Sequence, residues 1–148
     1  MSTIAKNKRA YFDYEILETH EAGIVLAGYE VKSVRLGHIS LKGSYVTIKD
    51  NEAYLLNVHI SPYQAANMPA DYNPTRTRKL LLKRSEINTL VGKSKVQGLT
   101  TLPLSVYTKR GKIKIEIGVG RGKKKYEKRE KLKKKDSDRE IRRALGRR

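Results

Sequence analysis

The stretch LTTLPLSVYTKRGKIKIEIGVG, residues 99–120, decides the fold class of this chain. Within it, residues 112–117 read Lys-Ile-Lys-Ile-Glu-Ile, so charged and apolar side chains alternate at every position. Successive side chains of a β-strand point to opposite faces, and this alternation is typical of a strand with one face in the core and the other in water. It is the clearest secondary-structure signal in the sequence, and it predicts a protein built on β-strands.

Weaker strand patterns lie upstream of this stretch. Residues 12–31 predict two strands joined by a turn near residues 21–23, and residues 44–60 predict a hairpin that turns at Asp50-Asn51. Residues 78–83 predict another short strand, and the chain should hold about six in all.

Two short helices are expected between the strands. One covers residues 30–37, and the other begins with Ser85 as its N-cap and closes at Gly98. Residues 61–73 are rich in Pro, Asn and Asp, are followed by Pro74, and predict a long loop. The predicted fold is mostly β, an oligonucleotide-binding-like antiparallel β-barrel with two short helices and a basic C-terminal tail, and a half-open sandwich is the alternative.

Charge divides the chain into a body and a tail. The 148 residues carry a net charge of +18, and residues 121–148 contribute +10 of it, with fifteen Lys or Arg against five Asp or Glu. We therefore expect an RNA-binding body at 1–120 and a tail at 121–148 that is disordered when free and helical when bound. A capping-box pattern at residues 137–140 supports the latent helix. Both parts are basic, which favours nucleic acid as the partner.

Several classes of protein fit the sequence poorly. The chain has neither a long apolar run nor a signal-peptide pattern, so we expect a cytoplasmic protein that does not contact membranes. Cysteine is absent, which removes disulfides and thiolate metal sites. The three histidines lie on separate predicted elements, and GVGRGK at 118–123 fails the spacing of a phosphate-binding loop. We expect no enzyme activity, no catalytic or metal-binding residues and no cofactor.

The binding signal is stronger than the catalytic one. Basic clusters occur at residues 6–9, 76–79, 83–84 and 109–114, with tyrosines among them. For most of the nine tyrosines we favour a half-buried structural role over stacking on bases. Tyr126 is the exception, because it stands alone inside the lysine run and can stack on a base.

Two glutamates interrupt the basic surroundings. Glu21 can accept hydrogen bonds from guanine or cytosine amines, or it can be an ordinary surface residue. For Glu30 we favour a role in orienting a nearby Arg or Lys, such as Lys32 or Arg35.

The motifs NKRA, HEAGIVLAGYEVKSVRLG, PTRTRKLLLKRSEI and GVGRGKKKYEKR, in this order and followed by the basic tail, resemble the small protein B family, the SsrA-binding proteins of bacteria. The resemblance runs from about Asn7 to Arg143. It implies an oligonucleotide-binding-like barrel that holds the tRNA-like domain of transfer-messenger RNA and stands in for the missing anticodon arm. It also implies that the tail enters the vacant A site and mRNA channel of a stalled ribosome, at the decoding centre of the small subunit, and helps start trans-translation.

The resemblance also implies particular residues and partners. Elongation factor Tu would be a further partner, through the aminoacylated RNA, and the protein would act as a monomer. Glu127 stands where the family commonly has Asp, which keeps the charge with one extra methylene. The RNA-contacting positions of the body would be Asn7, Glu21, Leu81, Lys83 and Lys114, and the ribosome-contacting positions of the tail would be Gly122, Lys123, Lys124, Tyr126, Lys128 and Arg129.

Other interpretations remain open at this point. A ribosome-associated or anticodon-arm-binding structural protein would stay on ribosomes whether or not they are stalled. A small hydrolase or nuclease would depend on Glu15, Glu21 or His20. A DNA-binding protein of the chromatin type would prefer duplex DNA to folded RNA.

Overall fold

The structure, a computed structural model, describes residues 2–64 and 68–123. These residues form nine strands and three helices. The strands are β1 (Ser2–Lys6), β2 (Tyr14–Ile24), β3 (Ile39–Ser40), β4 (Tyr45–Lys49), β5 (Glu52–Leu56), β6 (His59–Ile60), β7 (Arg78–Leu81), β8 (Leu99–Lys109) and β9 (Lys112–Gly122). The helices are α1 (Lys8–Asp13), α2 (Gly28–Arg35) and α3 (Arg84–Ser94).

Seven strands form one antiparallel sheet in the order β1-β8-β9-β2-β7-β5-β4. The stretch at residues 99–120 forms the second and third strands of this order, a hairpin in which β8 turns into β9 at Arg110 and Gly111. Both turn residues have positive φ, 52° and 76°, as tight hairpin turns that match the twist of the strands require. The predicted alternation is confirmed, because Ile115 and Ile117 of β9 are fully buried and its charged residues lie on the other face.

The core lies on the inner face of this sheet. Apolar residues of β2, β4, β5, β7, β8 and β9 pack there, and α2 and α3 contribute Val34 and Leu90. The members that are completely buried include Ala22, Leu55, Val106 and Ile115. The opposite face of β2, β7 and β9 carries mostly polar and charged side chains together with the exposed Leu81, and it holds the candidate site.

The glycines of the GVG motif are required by the close packing of neighbouring side chains against β9. A Cβ on Gly118 would lie 2.7 Å from Leu104 Cδ1, and one on Gly120 would lie 2.9 Å from Tyr14 Cβ. These glycines leave room for a second small core that includes Ala10, Leu102 and Leu104. The motif is therefore part of a strand.

The predicted hairpin at residues 12–31 is wrong. β2 runs through the expected turn as one strand of eleven residues, because Glu21, Ala22 and Gly23 all pair with β9. The sequence indicated a turn because it places a glycine beside polar residues, but the long partner strand keeps this segment extended.

The helices and the sheet edges also differ from expectation. The chain has three helices in its described part, not two, since α1 and the strand β1 before it were not predicted. Lys83, not Ser85, is the N-cap residue of α3. The hairpin at residues 44–60 is confirmed, with Asp50 and Asn51 at positive φ in its turn.

The sheet curls so that β4 approaches β8, but it does not close. Within the described residues β1 and β4 are its two edges, and no strand pair joins them into a barrel. The observed fold is therefore a mostly antiparallel β structure with three helices. β9 ends at Gly122, two residues beyond the predicted boundary between body and tail.

Candidate nucleic-acid interface

A groove lined by lysines and carboxylates crosses the outer face of β9, β2 and β7 and reaches the start of α3. We call it the basic groove, after its three lysines and the adjoining cations Lys109, Arg110 and Lys112. Its lining includes Glu21, Gly23, Glu52, Lys79, Leu81, Lys83, Glu86 and Lys114. Four of the five body residues expected to contact RNA therefore lie together, although they come from three strands and the N-cap of a helix. Strand pairing brings them together, since Gly23 is paired with Leu81 on one side and with Lys114 on the other.

Gly23 keeps the floor of the basic groove open. It lies between the side chains of Leu81 and Lys114 in the same cross-strand row. A Cβ at this position would lie 3.3 Å from Leu81 Cβ, a distance tighter than most real contacts. Leu81 is 53% exposed, which is unusual for a large apolar residue on a strand and leaves it available to a ligand with an apolar surface.

Glu21 is held by two side chains of β8. The Tyr107 hydroxyl donates to Glu21 Oε2 at 2.5 Å, and Lys109 Nζ lies 3.3 Å from both carboxylate oxygens. The hydrogen bond from Tyr107 is the main reason that the pKa of Glu21 lies below its usual value, and Lys109 and Lys114 lower it further. The groove, whose lining also includes Glu52 and Glu86 beside its lysines, thus contains a carboxylate that two side chains of β8 hold in place.

Sequence reasoning placed Lys109 only in a basic cluster and missed Tyr107. The signal that could have found them is the hairpin register, in which Tyr107 opposes Lys114 and Lys109 opposes Lys112. Residues opposite each other in an antiparallel pair share a face, so this register puts Tyr107 on the charged face of β9.

Asn7 lies apart from the basic groove. It is the N-cap of α1, where its Oδ1 accepts from the backbone N–H of Ala10 at 3.2 Å. Its Nδ2 donates to the carbonyl of Pro103 at 2.9 Å, and the residue is buried. Asn7 therefore fixes α1 to β8, beside a second groove that Arg9 and Tyr45 help to line.

The start of the tail is anchored to α1. Gly122 is the last residue of β9 and pairs with Tyr14. The backbone N–H of Lys123 donates to the carbonyl of Asp13 at 2.8 Å, and Lys123 Nζ donates to the carbonyl of Tyr11 at 3.1 Å. The other predicted tail residues, Lys124, Tyr126, Lys128 and Arg129, lie outside the described residues.

A buried ionic cluster explains part of the basic sequence. Arg78 and Glu30 are both fully buried, and Arg78 Nη2 donates to Glu30 Oε2 at 2.6 Å. Arg76 pairs with Glu30 Oε1, and the Tyr72 hydroxyl reaches the same carboxylate. Burial alone would raise the pKa of Glu30, but the hydrogen bonds from Arg76, the Ala27 backbone and Arg78 hold it below its usual value.

As predicted, Glu30 orients basic side chains. Its partners, however, are Arg76 and Arg78 and not Lys32 or Arg35. Lys32 lies over the Tyr63 ring at 5.6 Å, and Arg35 Nη2 donates to the Gly111 carbonyl at 2.9 Å. Arg78 is therefore a structural residue that is inaccessible to a ligand.

The residues of the enzyme interpretation do not assemble into a metal site. His20 Nδ1 lies 3.1 Å from Glu86 Oε2, and its Nε2 lies 3.7 Å from Glu18 Oε1. Among residues 2–64 and 68–123, no group of three or more His, Asp or Glu side chains is arranged to hold a metal ion. In the same part of the chain, no helix has the length and apolar character needed to cross a membrane.

An open groove that is lined by lysines and carboxylates, on an antiparallel sheet of a chain with a net charge of +18, is typical of a nucleic-acid-binding β protein. Comparison with known proteins makes this specific. The family model described as SmpB protein matches residues 4–147, and the chain belongs to this family.

The chain has close relatives among curated proteins. It is 51% identical to the SsrA-binding protein of Nostoc punctiforme over 142 residues, which cover 96% of this chain and 92% of the relative. It is also 51% identical to the SsrA-binding protein of Caldicellulosiruptor saccharolyticus, with 98% and 91% covered. A solved structure described as "tmRNA-SmpB: a journey to the center of the bacterial ribosome" matches with a TM-score of 0.68 and 48% identity, over 82% of this chain and 85% of that one.

Proposed function

We propose that this protein binds the tRNA-like domain of transfer-messenger RNA and delivers it to stalled ribosomes for trans-translation. The observation that carries the proposal is the convergence of Glu21, Leu81, Lys83 and Lys114 in one groove of a member of the SmpB protein family. Lysines neutralise phosphates, an exposed apolar side chain can pack on a base or ribose, and a carboxylate accepts from base amines.

The body and the tail have different tasks in this proposal. The body takes the place of the missing anticodon arm, and Asn7 contributes by fixing α1. The tail occupies the vacant A site and the mRNA channel at the decoding centre, beginning with Gly122 and Lys123 and continuing with Lys124, Tyr126, Lys128 and Arg129. Elongation factor Tu joins through the aminoacylated RNA, and the protein acts as a monomer in the cytoplasm.

We assign the curled sheet to the oligonucleotide-binding-like class as a partly open barrel. The approach of β4 to β8 supports this assignment, since barrels of this class are themselves often incompletely closed. The basic groove then lies on the outer surface of the barrel, where folded RNA can reach it.

The alternative is a structural RNA-binding protein that associates with ribosomes or anticodon arms. The carboxylates in the groove lining, Glu21, Glu52 and Glu86, favour the first proposal, because purely electrostatic binding of phosphates gains nothing from carboxylates beside them.

Two variants that each remove one lysine test the groove. Replacing Lys114→Ala should weaken binding of a folded tRNA-like domain about fivefold to twentyfold, since it removes a phosphate contact at the centre of the groove. Lys93→Ala is the matched control, because Lys93 is also half-buried but lies in the last turn of α3 away from the groove lining. Affinities should be measured by fluorescence anisotropy at several salt concentrations. Equal losses for the two variants would show that only net charge matters and would overturn the assignment of the groove.

A further inference from the structure

We propose that Tyr107 is a positioning residue, which holds the carboxylate of Glu21 toward RNA in the basic groove so that it accepts from the exocyclic amine of guanine or cytosine. The inference rests on the proposed function, and it names the kind of group that this part of the site recognises.

The geometry places Tyr107 behind Glu21. Tyr107 is only 6% exposed, although it lies on the outer face of the sheet, whereas the Glu21 side chain is 38% exposed. The hydroxyl donates to Oε2 at 2.5 Å, a distance typical of a strong bond to a charged acceptor. Oε1 accepts the longer contact of 3.3 Å from Lys109, so this oxygen retains acceptor capacity on the exposed side.

Burial limits the movement of the Tyr107 phenol. Thr3 of β1 and Lys114 of β9 are its partners on the two neighbouring strands. A flexible carboxylate would lose rotamer freedom on binding RNA, and a fixed donor reduces that cost before the RNA arrives. The same hydrogen bond makes Glu21 harder to protonate. The ionised carboxylate is the form that accepts hydrogen bonds from an amine through either oxygen.

The charged groups around Glu21 are mixed in sign. Glu116 of β9 lies opposite Glu21 in the strand register, so a second carboxylate is on the same face. Cations that share a groove with Glu21 come from β7, α3 and the β8–β9 hairpin, and they are Lys79, Lys83, Lys109, Arg110, Lys112 and Lys114. The remaining acids in the groove lining are Glu52 and Glu86.

The sign of the pH dependence follows from the lowered pKa of Glu21. Binding through the carboxylate should hold at neutral pH and weaken as the pH falls through that pKa. Burial and the bond to Glu21 raise the pKa of Tyr107, so the phenol remains a donor throughout this range. Replacing Tyr107→Phe should raise the pKa of Glu21, and the acid-side loss of RNA binding should then begin at a higher pH.

A double-mutant cycle tests the coupling. Tyr107→Phe should weaken binding of the tRNA-like domain about threefold to tenfold at neutral pH, as expected for one lost hydrogen bond. In a Glu21→Gln background the same change should have little further effect, because the acceptor charge is already gone. Tyr29→Phe on α2 is the control for removing a phenol hydroxyl elsewhere. An equal loss in both backgrounds would mean that Tyr107 acts through the fold alone and would overturn the proposal.

A second measurement uses the free protein. The side-chain carboxyl resonance of Glu21, followed by NMR against pH, should titrate higher in Tyr107→Phe than in the wild type. Lys109→Met should shift it less, since the Tyr107 bond is the larger cause. An unchanged titration in Tyr107→Phe would overturn the positioning role even if RNA binds. If the titration shifts but the wild-type protein does not bind the RNA, the proposed function fails, and the RNA-directed role of Tyr107 fails with it.

Discussion

At the scale of single residues, the two glutamates that interrupt the basic sequence have opposite surroundings. Glu30 is buried with Arg78 and Arg76 around it, whereas Glu21 lies in an open groove. Removing one partner of a buried ion pair leaves the other charge without compensation, and that penalty is much larger than any cost at an exposed site.

We therefore expect Glu30→Gln to lower the free energy of unfolding by about 3–5 kcal/mol. Urea denaturation followed by circular dichroism measures this change. Glu21→Gln is the control, and it should leave the denaturation midpoint close to that of the wild type. If both variants unfold at the same urea concentration, the buried cluster does not stabilise the fold.

Glu30 also predicts how stability depends on pH. Because its pKa is lowered in the folded protein, its contribution should be complete above its ordinary pKa and should disappear as the pH falls through the lowered value. The wild type should therefore lose stability in acid more steeply than Glu30→Gln. If the free energy of unfolding falls equally steeply with decreasing pH in both proteins, this prediction is wrong.

At the scale of the secondary-structure elements, β9 combines an alternating half with a glycine-rich half. Lys112 to Ile117 separate the charged face from the core, and Gly118 and Gly120 then remove side chains where α1 and its small core pack. The alternation could be predicted from the sequence because it follows strand periodicity. The purpose of the glycines could not, because it depends on side chains of β2 and β8 that are distant in the chain.

The glycines of β9 differ in a way that mutation can detect. Gly118→Ala should lower the free energy of unfolding by about 1–3 kcal/mol, because the new methyl group would overlap Leu104, which is fully buried. Gly122→Ala on the same strand has nothing within 4 Å of its added carbon, so its thermal midpoint should barely move. Thermal unfolding followed by calorimetry compares the two. A destabilised Gly122→Ala with an unaffected Gly118→Ala would reverse our assignment of the packing.

The same limit applies to the candidate site. The family motifs led to Glu21, Leu81, Lys83 and Lys114, and the sheet register then explained why they meet. Tyr107 was missed because its role depends on the register of the β8–β9 hairpin and on a contact with Glu21 of β2, and not on a local sequence pattern. The continuous strand β2 was missed for a related reason, since its extended form is imposed by β9.

At the scale of the whole molecule, charge is shared unequally between body and tail. Truncation after Gly122 should leave affinity for the tRNA-like domain mostly intact but should abolish rescue of stalled ribosomes, because the basic groove lies entirely in the body. Filter binding and an in vitro trans-translation assay measure the two properties.

The salt dependence of RNA binding should be similar for the full-length and the truncated protein. The logarithm of the binding constant should fall by about 0.7–0.9 per phosphate contact for each tenfold increase in salt. If only the full-length protein binds RNA and duplex DNA competes equally, the tail binds polyanions non-specifically and the body is not the RNA receptor.

The sheet order has a consequence for how the chain reaches its native state. β1 pairs with β8 and β2 pairs with β9, so Ser2 must find Thr108 and Tyr14 must find Gly122. At a translation rate of about 5–20 residues per second, β1 and β2 are synthesised roughly 5–20 s before their partners β8 and β9. Contacts this distant in sequence slow folding. The protein should therefore complete its sheet only after β9 has been synthesised, and a message interrupted before that point would leave a chain without a folded body.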